Sequence, residues 1–231
     1  MFKGVVCLLC AIFLSVLSSC HNDSYDSGDG TYSFLCADFV MAHANGLGGI
    51  DYAITDDGDS LVLSRFVQAD WITTADSSYR VAMYYNKTGV TCGGTGRKAF
   101  VVEPVSMSAI PVLEPVELHS GMEMKTDPVT VESVWISNCC SYMNIGLYLK
   151  VGRLDDVSVK HSVGMVHEYD NHNADGTVTS CFVLYHDQGD VPEYYSSKVY
   201  LSVPIEKTSA DSVRLRVSAY DGEKVFCRAL D

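Results

Sequence analysis

The sequence predicts an all-β protein, a small barrel followed by an antiparallel β-sandwich. Three observations carry this. Beyond residue 30 no stretch sustains the apolar period of a helix, whereas short apolar runs bounded by Asp-Gly and other glycine-containing turns recur to the C-terminus. In the second half the alternation is strict. Val199, Leu201, Val203 and Ile205 share one face with Tyr200 and Ser202 opposite, and Val213, Leu215, Val217 and Ala219 share another with Arg214, Arg216 and Ser218 opposite. A period of two with one polar side is the pattern of a sheet with one solvated face, hence of a sandwich. Finally, four of the six prolines, Pro104, Pro111, Pro115 and Pro128, fall in one segment. Proline cannot donate to a strand ladder, so this segment is no central strand and marks a boundary between two domains.

Taken in order, the chain opens with Lys3 and an apolar run from Val5 to Leu17, broken only by Ser15, that ends in Leu17-Ser18-Ser19-Cys20. A run of about 13 residues is too short to span a bilayer and fits the hydrophobic region of a secretory signal. An aliphatic residue, two small residues and a cysteine make a lipobox: Ser18 and Ser19 admit an extended chain to a peptidase cleft, and Cys20 offers the thiol that accepts diacylglycerol. Residues 1–19 are therefore read as a lipoprotein signal peptide, and Cys20 as the lipidation site that brings the chain to the lipid bilayer. Residues 20–30, with Asp23, Asp26 and Asp29 among small polar residues, read as an acidic flexible tether.

Residues 31–110 are the expected barrel. Thr31–Ala42 is apolar and extended. Ile50–Thr55 and Leu61–Leu63 flank Asp57-Gly58, a hairpin dipeptide because both residues tolerate positive φ. Tyr79–Tyr85 alternates, and Lys98–Val102 is a further run. Five strands in about 75 residues fit a small barrel. Residues 111–128 read as a proline-containing linker, in which alternating Val112, Glu114, Val116 and Leu118 allow one short edge strand. Residues 129–231 are the expected sandwich: strands at Val129–Ser137, at Tyr142–Val151, at Thr177–Tyr185 after the Asp175-Gly176 turn, along the two alternating runs, and finally around Phe226 and Cys227.

The formal net charge is −13, and removal of Lys3 with the signal makes it one unit more negative. So acidic a chain does not condense on phosphates, so no nucleic acid partner is expected, and membrane contact is expected to come from lipid. Of nine cysteines, Cys7 and Cys10 leave with the signal and Cys20 is lipidated, which leaves Cys36, Cys92, Cys139, Cys140, Cys181 and Cys227. Export favours oxidation of these, but Cys181 and Cys227 fall in strand-like segments where cysteine behaves as a small hydrophobe. The expectation is packing thiols rather than a disulfide framework. No C-x-x-C pair remains for a metal.

The richest polar cluster is His167-Glu168-Tyr169-Asp170-Asn171-His172. Its histidines are five apart, on opposite sides of a strand, not four apart as in H-E-x-x-H, so a solvated hairpin is expected rather than a metal site. Asn171–Gly176 looks like the start of a calcium loop, but Phe182 stands where the closing glutamate belongs. Gly93-Gly94-Thr95-Gly96-Arg97-Lys98 lacks the spacing of a phosphate cradle and reads as a contact loop between strands. No G-x-S-x-G is present, and no cofactor is expected. His43, His119, His161 and His186 with scattered aspartates leave a hydrolytic triad open. Trp71, Tyr79, Tyr84, Tyr85, Trp135, Tyr142 and Tyr148 are candidates for a glycan or peptide surface, although packing within strands is their commoner use. The binding set chosen from these signals is Trp71, Tyr84, Tyr85, Arg97 and Lys98.

The stretches DPVTVESVWIS (127–137), YMNIGLYLK (142–150), CFVLYHDQGD (181–190), KVYLSVPI (198–205) and RLRVSAYDG (214–222), together with the lipobox, resemble the NigD-like lipoproteins of Bacteroidetes. The resemblance implies an N-terminal OB-type barrel, a C-terminal β-sandwich and an outer-membrane lipoprotein, periplasmic or surface-exposed. It brings no catalytic residues. The expected function is a membrane-anchored binding or interaction module whose partner is another envelope protein or a glycan. The alternatives are a cell-envelope hydrolase and an immunity-type partner of a secreted bacteriocin.

Overall fold

A computed structural model describes residues 35–91, 99–139, 141–152, 160–205 and 210–230. The signal and lipobox with Cys20, the acidic tether, Cys92, the loop with Arg97 and Lys98, and Cys140 lie outside them. The described residues contain strands and turns and no helix.

Five strands, β1 (Leu35–Ala44), β2 (Ile50–Thr55), β3 (Ser60–Val67), β4 (Ser77–Thr91) and β5 (Ala99–Ala109), close a barrel in the order β1-β2-β3-β5-β4. β3 and β5 run parallel, from Ser60 beside Ala99 to Leu63 beside Val102, and this order with one parallel contact is the OB arrangement. The β2–β3 hairpin turns at Gly58, whose φ of 86° lies in the left-handed region that glycine tolerates. Alternation then decides what faces in. On β4, Val81, Met83 and Tyr85 are buried with Val40, Ala42, Ala53, Leu61 and Val102, and each is at most 1% exposed. The intervening Arg80, Ala82 and Tyr84 therefore point out of the barrel.

The second half forms two facing sheets. β6 (Val116–Glu117), β9 (Ser162–His172), β10 (Val178–Asp187), β12 (Ser212–Ala219) and β13 (Gly222–Ala229) make a five-stranded sheet in the order β13-β12-β10-β9-β6. β7 (Thr130–Ile136), β8 (Tyr142–Val151) and β11 (Tyr195–Pro204) make a three-stranded sheet in the order β11-β8-β7. Between them lie Ile145, Leu147, Phe182, Leu184, Val203, Val213 and Leu215, the inward residues of alternating strands. Burying each large apolar side chain contributes about 1.5–3 kcal/mol.

The sandwich is not purely antiparallel as expected. β10 and β12 are parallel, with Phe182 beside Leu215, and β6 is parallel to β9. The cause is connectivity: the chain leaves β10, crosses to the other sheet as β11, and returns beside β10 in the same direction. β9 is a strand that alternation alone does not reveal. A bulge sets both Glu168 and its neighbours against Cys181 and Phe182, which breaks the period of two.

Pro104 departs from the expected boundary: it lies within β5 of the barrel, opposite Tyr85, where a bulge interrupts the pairing with β4, and the rest of the proline segment, from Pro111, is tied to both sandwich sheets. Leu113 donates its N–H to the Ser202 carbonyl, Ser202 donates to the Pro111 carbonyl, Val116 pairs with Val166, and Thr126 bridges to His186. The short edge strand allowed at Val116 is β6. Among the cysteines, Cys181 is 3% exposed, as a packing thiol should be. Cys227 departs from that expectation. It is exposed because β13 is an edge strand and Cys227 sits on its solvent side, opposite Arg214.

Candidate functional site

The outer face of the three-stranded sheet carries two cross-strand rows. Trp135, Asn144 and Ser202 are direct neighbours in one, and Ser133, Gly146 and Tyr200 in the next. The barrel packs on this face through Phe39, Asp56 and Arg80. Arg80 is buried, and its two terminal nitrogens each donate to an Asp56 oxygen at 2.6 Å. One of them also donates to Asn144 Oδ1 at 2.9 Å, and Nε donates to Ser202 Oγ at 3.1 Å. Asn144 returns a hydrogen bond to Asp56, and Ser202 donates to Asn144 Oδ1 at 2.7 Å. The guanidinium carbon also lies 4.8 Å from the Tyr142 ring centre and 5.5 Å from that of Phe39. A buried charge is costly unless paired and fully hydrogen-bonded, and here Asp56 in the turn after β2, with Asn144 on β8 and Ser202 on β11, meets that demand.

Beside this network opens a cleft of about 450 Å³, its walls formed by Asp38, Phe39, Asp57, Tyr84, Trp135 and Tyr200. Phe39 is the hinge of the aromatic wall: its ring centre is 5.2 Å from Trp135 and 5.2 Å from Tyr200, the latter edge-to-face. Lys198 stands 4.7 Å over the Tyr200 ring and pairs with Glu132. Asn138 donates to Asp57 across the mouth at 2.9 Å. Two local features shape the cleft. A bulge in β7 sets Ser133 opposite Gly146 and adds Glu132 as the extra residue. A Cβ on Gly146 would lie 2.8 Å from Ser133 Oγ and 3.2 Å from the Tyr200 ring, so glycine lets these side chains close over the strand.

Of the sequence-chosen binding residues, Tyr84 lies in the cleft and is 45% exposed. Tyr85 does not: it is 1% exposed in the barrel core, because strand alternation sends adjacent residues to opposite sides. Its hydroxyl donates to Asp38 at 2.6 Å. Burial, then the neighbouring Asp38, pushes its phenol far up, so Tyr85 is a fixed donor that holds the Asp38 carboxylate in place. Trp71 packs edge-to-face on Tyr79 at the barrel core, away from the cleft. Arg97 and Lys98 fall outside the described residues. Trp135 joins Tyr84 in the cleft, whereas Phe39, Asp56, Arg80, Asn144 and Ser202 were not singled out from the sequence. A signal was present in Asn144, an amide set among apolar neighbours in YMNIGLYLK, since such a residue needs a buried partner.

The histidines do not gather into one site. His43 stacks on Tyr52 with ring centres 4.7 Å apart. His161 and His186 stack on each other, with 3.1 Å between Nδ1 of His161 and Nε2 of His186, and His186 contacts the Asp127 carbonyl. Burial, then the second imidazole, lowers the pKa of His161. At the other edge, the β9 bulge turns His167 toward Asp170, and it lies between that residue and Glu117 of β6, at 2.9 Å from each. Burial opposes its proton, but the two carboxylates outweigh this and raise its pKa. Among the described residues no group of three or more His, Cys, Asp or Glu side chains has the arrangement of a metal site.

These opposite shifts give a pH test. The unfolded chain binds a proton at each histidine near pH 6.5. His161 resists protonation when folded, so its contribution is whole above that pH and is lost as pH falls below it. His167 holds its proton more tightly when folded, so its contribution is whole below that pH and is lost as pH rises through the raised value. Urea midpoints at pH 5.5 and 8 should show it: His161→Gln spares the acid-side loss, whereas His167→Gln is more destabilising at pH 5.5 than at pH 8.

The model of the NigD-like C-terminal β-sandwich domain matches residues 112–228. The chain belongs to the NigD-like family. That match begins within the proline segment, in keeping with its attachment to the sandwich sheets. Among solved structures, a protein of unknown function from Bacteroides vulgatus is similar at TM-score 0.66 and 14% identity, over 85% of this chain and 91% of that one. A NigD-like immunity protein from Bacteroides caccae is similar at TM-score 0.57 and 23% identity, over 85% of this chain and 97% of that one. At these identities the NigD-like fold is what is shared. Among curated proteins no sequence matches this chain.

Proposed function

We propose that this NigD-like chain is an extracytoplasmic lipoprotein, anchored at the outer membrane through acylated Cys20, and that it acts as an interaction module whose recognition surface is the cleft between barrel and sandwich. The observation that carries the reading is the aromatic wall of exposed Tyr84 and half-buried Phe39, Trp135 and Tyr200 beside the buried Arg80 network. Rigid aromatic side chains supply contact area at little entropic cost, and a locked network beneath them keeps the surface preformed. The lipobox and acidic tether supply the anchor and the reach. An immunity-type role toward a secreted bacteriocin is a second reading, favoured by the fold shared with the NigD-like immunity protein of Bacteroides caccae.

Site-specific photo-crosslinking in intact host cells tests this. A benzophenone amino acid at position 84 should yield a discrete adduct with an envelope protein, and the same group at Phe66, exposed on the barrel away from the cleft lining, should not. With Cys20→Ala the protein should leave the membrane fraction and the adduct should fall with it. Adducts at position 66 but none at position 84 would assign recognition to another face.

A further inference from the structure

We infer that the cleft receives a basic side chain, an arginine or lysine carried on a short peptide segment of a protein partner. The inference rests on the reading of the cleft as a recognition surface and names the chemistry of its occupant. The lining carries Asp38, Asp56 and Asp57 and, among the described residues, no lysine, arginine or histidine. Asp56 is neutralised from beneath by Arg80. Asp38 and Asp57 are different. Tyr85 donates one hydrogen bond to the first and Asn138 one to the second, neither partner is a cation, and among the described residues neither carboxylate is in an ion pair. Each carboxylate has two oxygens and room for several donors, and both residues line the cleft with acceptor capacity to spare.

The aromatic wall suits the same occupant. Ring faces attract cations, and the flanks of this wall already show it, with the Arg80 guanidinium 5.5 Å from the centre of Phe39 and Lys198 4.7 Å over Tyr200. The apolar part of the lining, Ala37, Ala82 and Ile136, matches the methylene stem that precedes the charge in arginine and lysine. An anionic occupant would meet uncompensated carboxylates, and a wholly apolar one would strip water from them without replacing it. The net charge of −13 adds a long-range field that draws basic partners.

The chain has two tryptophans, Trp71 and Trp135, so Trp71→Phe leaves Trp135 in the cleft as the single reporter. In that background the probe is an acetylated, amidated hexapeptide alternating arginine and glycine, with a citrulline counterpart of the same shape and no charge. The expected result is a saturable change in Trp135 emission with the arginine peptide and none with the citrulline peptide. Combined Asp38→Asn and Asp57→Asn should weaken binding at least tenfold, and because asparagine still accepts from Tyr85 and Asn138 the fold should persist by circular dichroism. Raising the salt to about 0.5 M should weaken binding to the unsubstituted carboxylates as well, which tests the charge without a variant. Equal binding of both peptides, no binding of either, or an affinity indifferent to the aspartates and to salt would overturn the inference. Spermine binding as tightly as the peptide would overturn the assignment to a peptide. If position 84 crosslinks an envelope protein while the arginine peptide gives no response, only the basic occupant falls; if both fail, the cleft as recognition surface falls with it.

Discussion

Replacing Arg80 with methionine is expected to lower the thermal midpoint by roughly 10 °C. The side chain of Arg80 is 1% exposed and that of its partner Asp56 is 15% exposed. Methionine fills much of the same volume, so the loss is not mainly a cavity. It is the charge left behind: Asp56 keeps its hydrogen bond from Asn144 but loses both guanidinium donors, and Ser202 loses one partner. Breaking a buried ion pair from one side costs about 3–5 kcal/mol, and each kcal/mol moves the midpoint of a chain this long by about 2–4 °C. The companion change Asp56→Asn should restore a large part of the loss, because it removes the orphaned charge. Calorimetry on the two single variants and the double variant measures the coupling. If the double variant were no more stable than Arg80→Met alone, desolvation of Asp56 would not be the cause.

The second large effect is expected in the sandwich. Phe182→Ala should cost about 3–5 kcal/mol, the range for truncating a buried aromatic residue. Phe182 is 1% exposed on central strand β10, belongs to the core with Met165, Leu184 and Leu215, and carries the His167 ring 5.3 Å away on its flank. Truncation to alanine removes the ring, and because a packed core relaxes only partly a cavity remains. By contrast, Tyr85→Phe keeps the ring in the barrel core and removes one hydrogen bond to the Asp38 carboxylate, which is worth about 1.5–3 kcal/mol because the acceptor is charged. Urea unfolding in the Trp71→Phe background, followed by Trp135 emission, checks both. Because the Arg80 network joins β4 and the turn after β2 to β8 and β11 of the sandwich, Phe182→Ala should lower one shared transition rather than split off a second. A separate early transition would mean that the network does not couple the two parts.

Much of the fold was legible because a strand has a period of two and the eye needs only a few residues to find it. Val213, Leu215 and Val217 announce β12 in this way, and Asp57-Gly58 and Asp175-Gly176 announce their hairpins. β9 was less legible, since the bulge at Glu168 breaks the period where the strand matters most to His167. The parallel pairing of β10 with β12 was not legible at all, because it depends on which sheet β11 joins. The candidate site was legible only in part. Tyr84 and Trp135 stood out as aromatic residues, but the same signal also picked out Tyr85 and Trp71, which pack against the barrel core.

What the sequence by itself determined is everything written in local order: the lipobox ending at Cys20 as an expectation, the acidic charge, the all-β class, the hairpin turns and the membership of the inward rows. What only the tertiary structure decided is what the outward rows do. Arg80, Asn144 and Ser202 lie on three strands far apart in the chain, and nothing in their local order pairs them with one another. Packing the barrel on the three-stranded sheet removes water from that face, and a polar group without water must find a partner or lose several kcal/mol. That requirement joins the three residues to Asp56 and sets Phe39 against Trp135 and Tyr200, and the cleft is the part of the junction that packing leaves open.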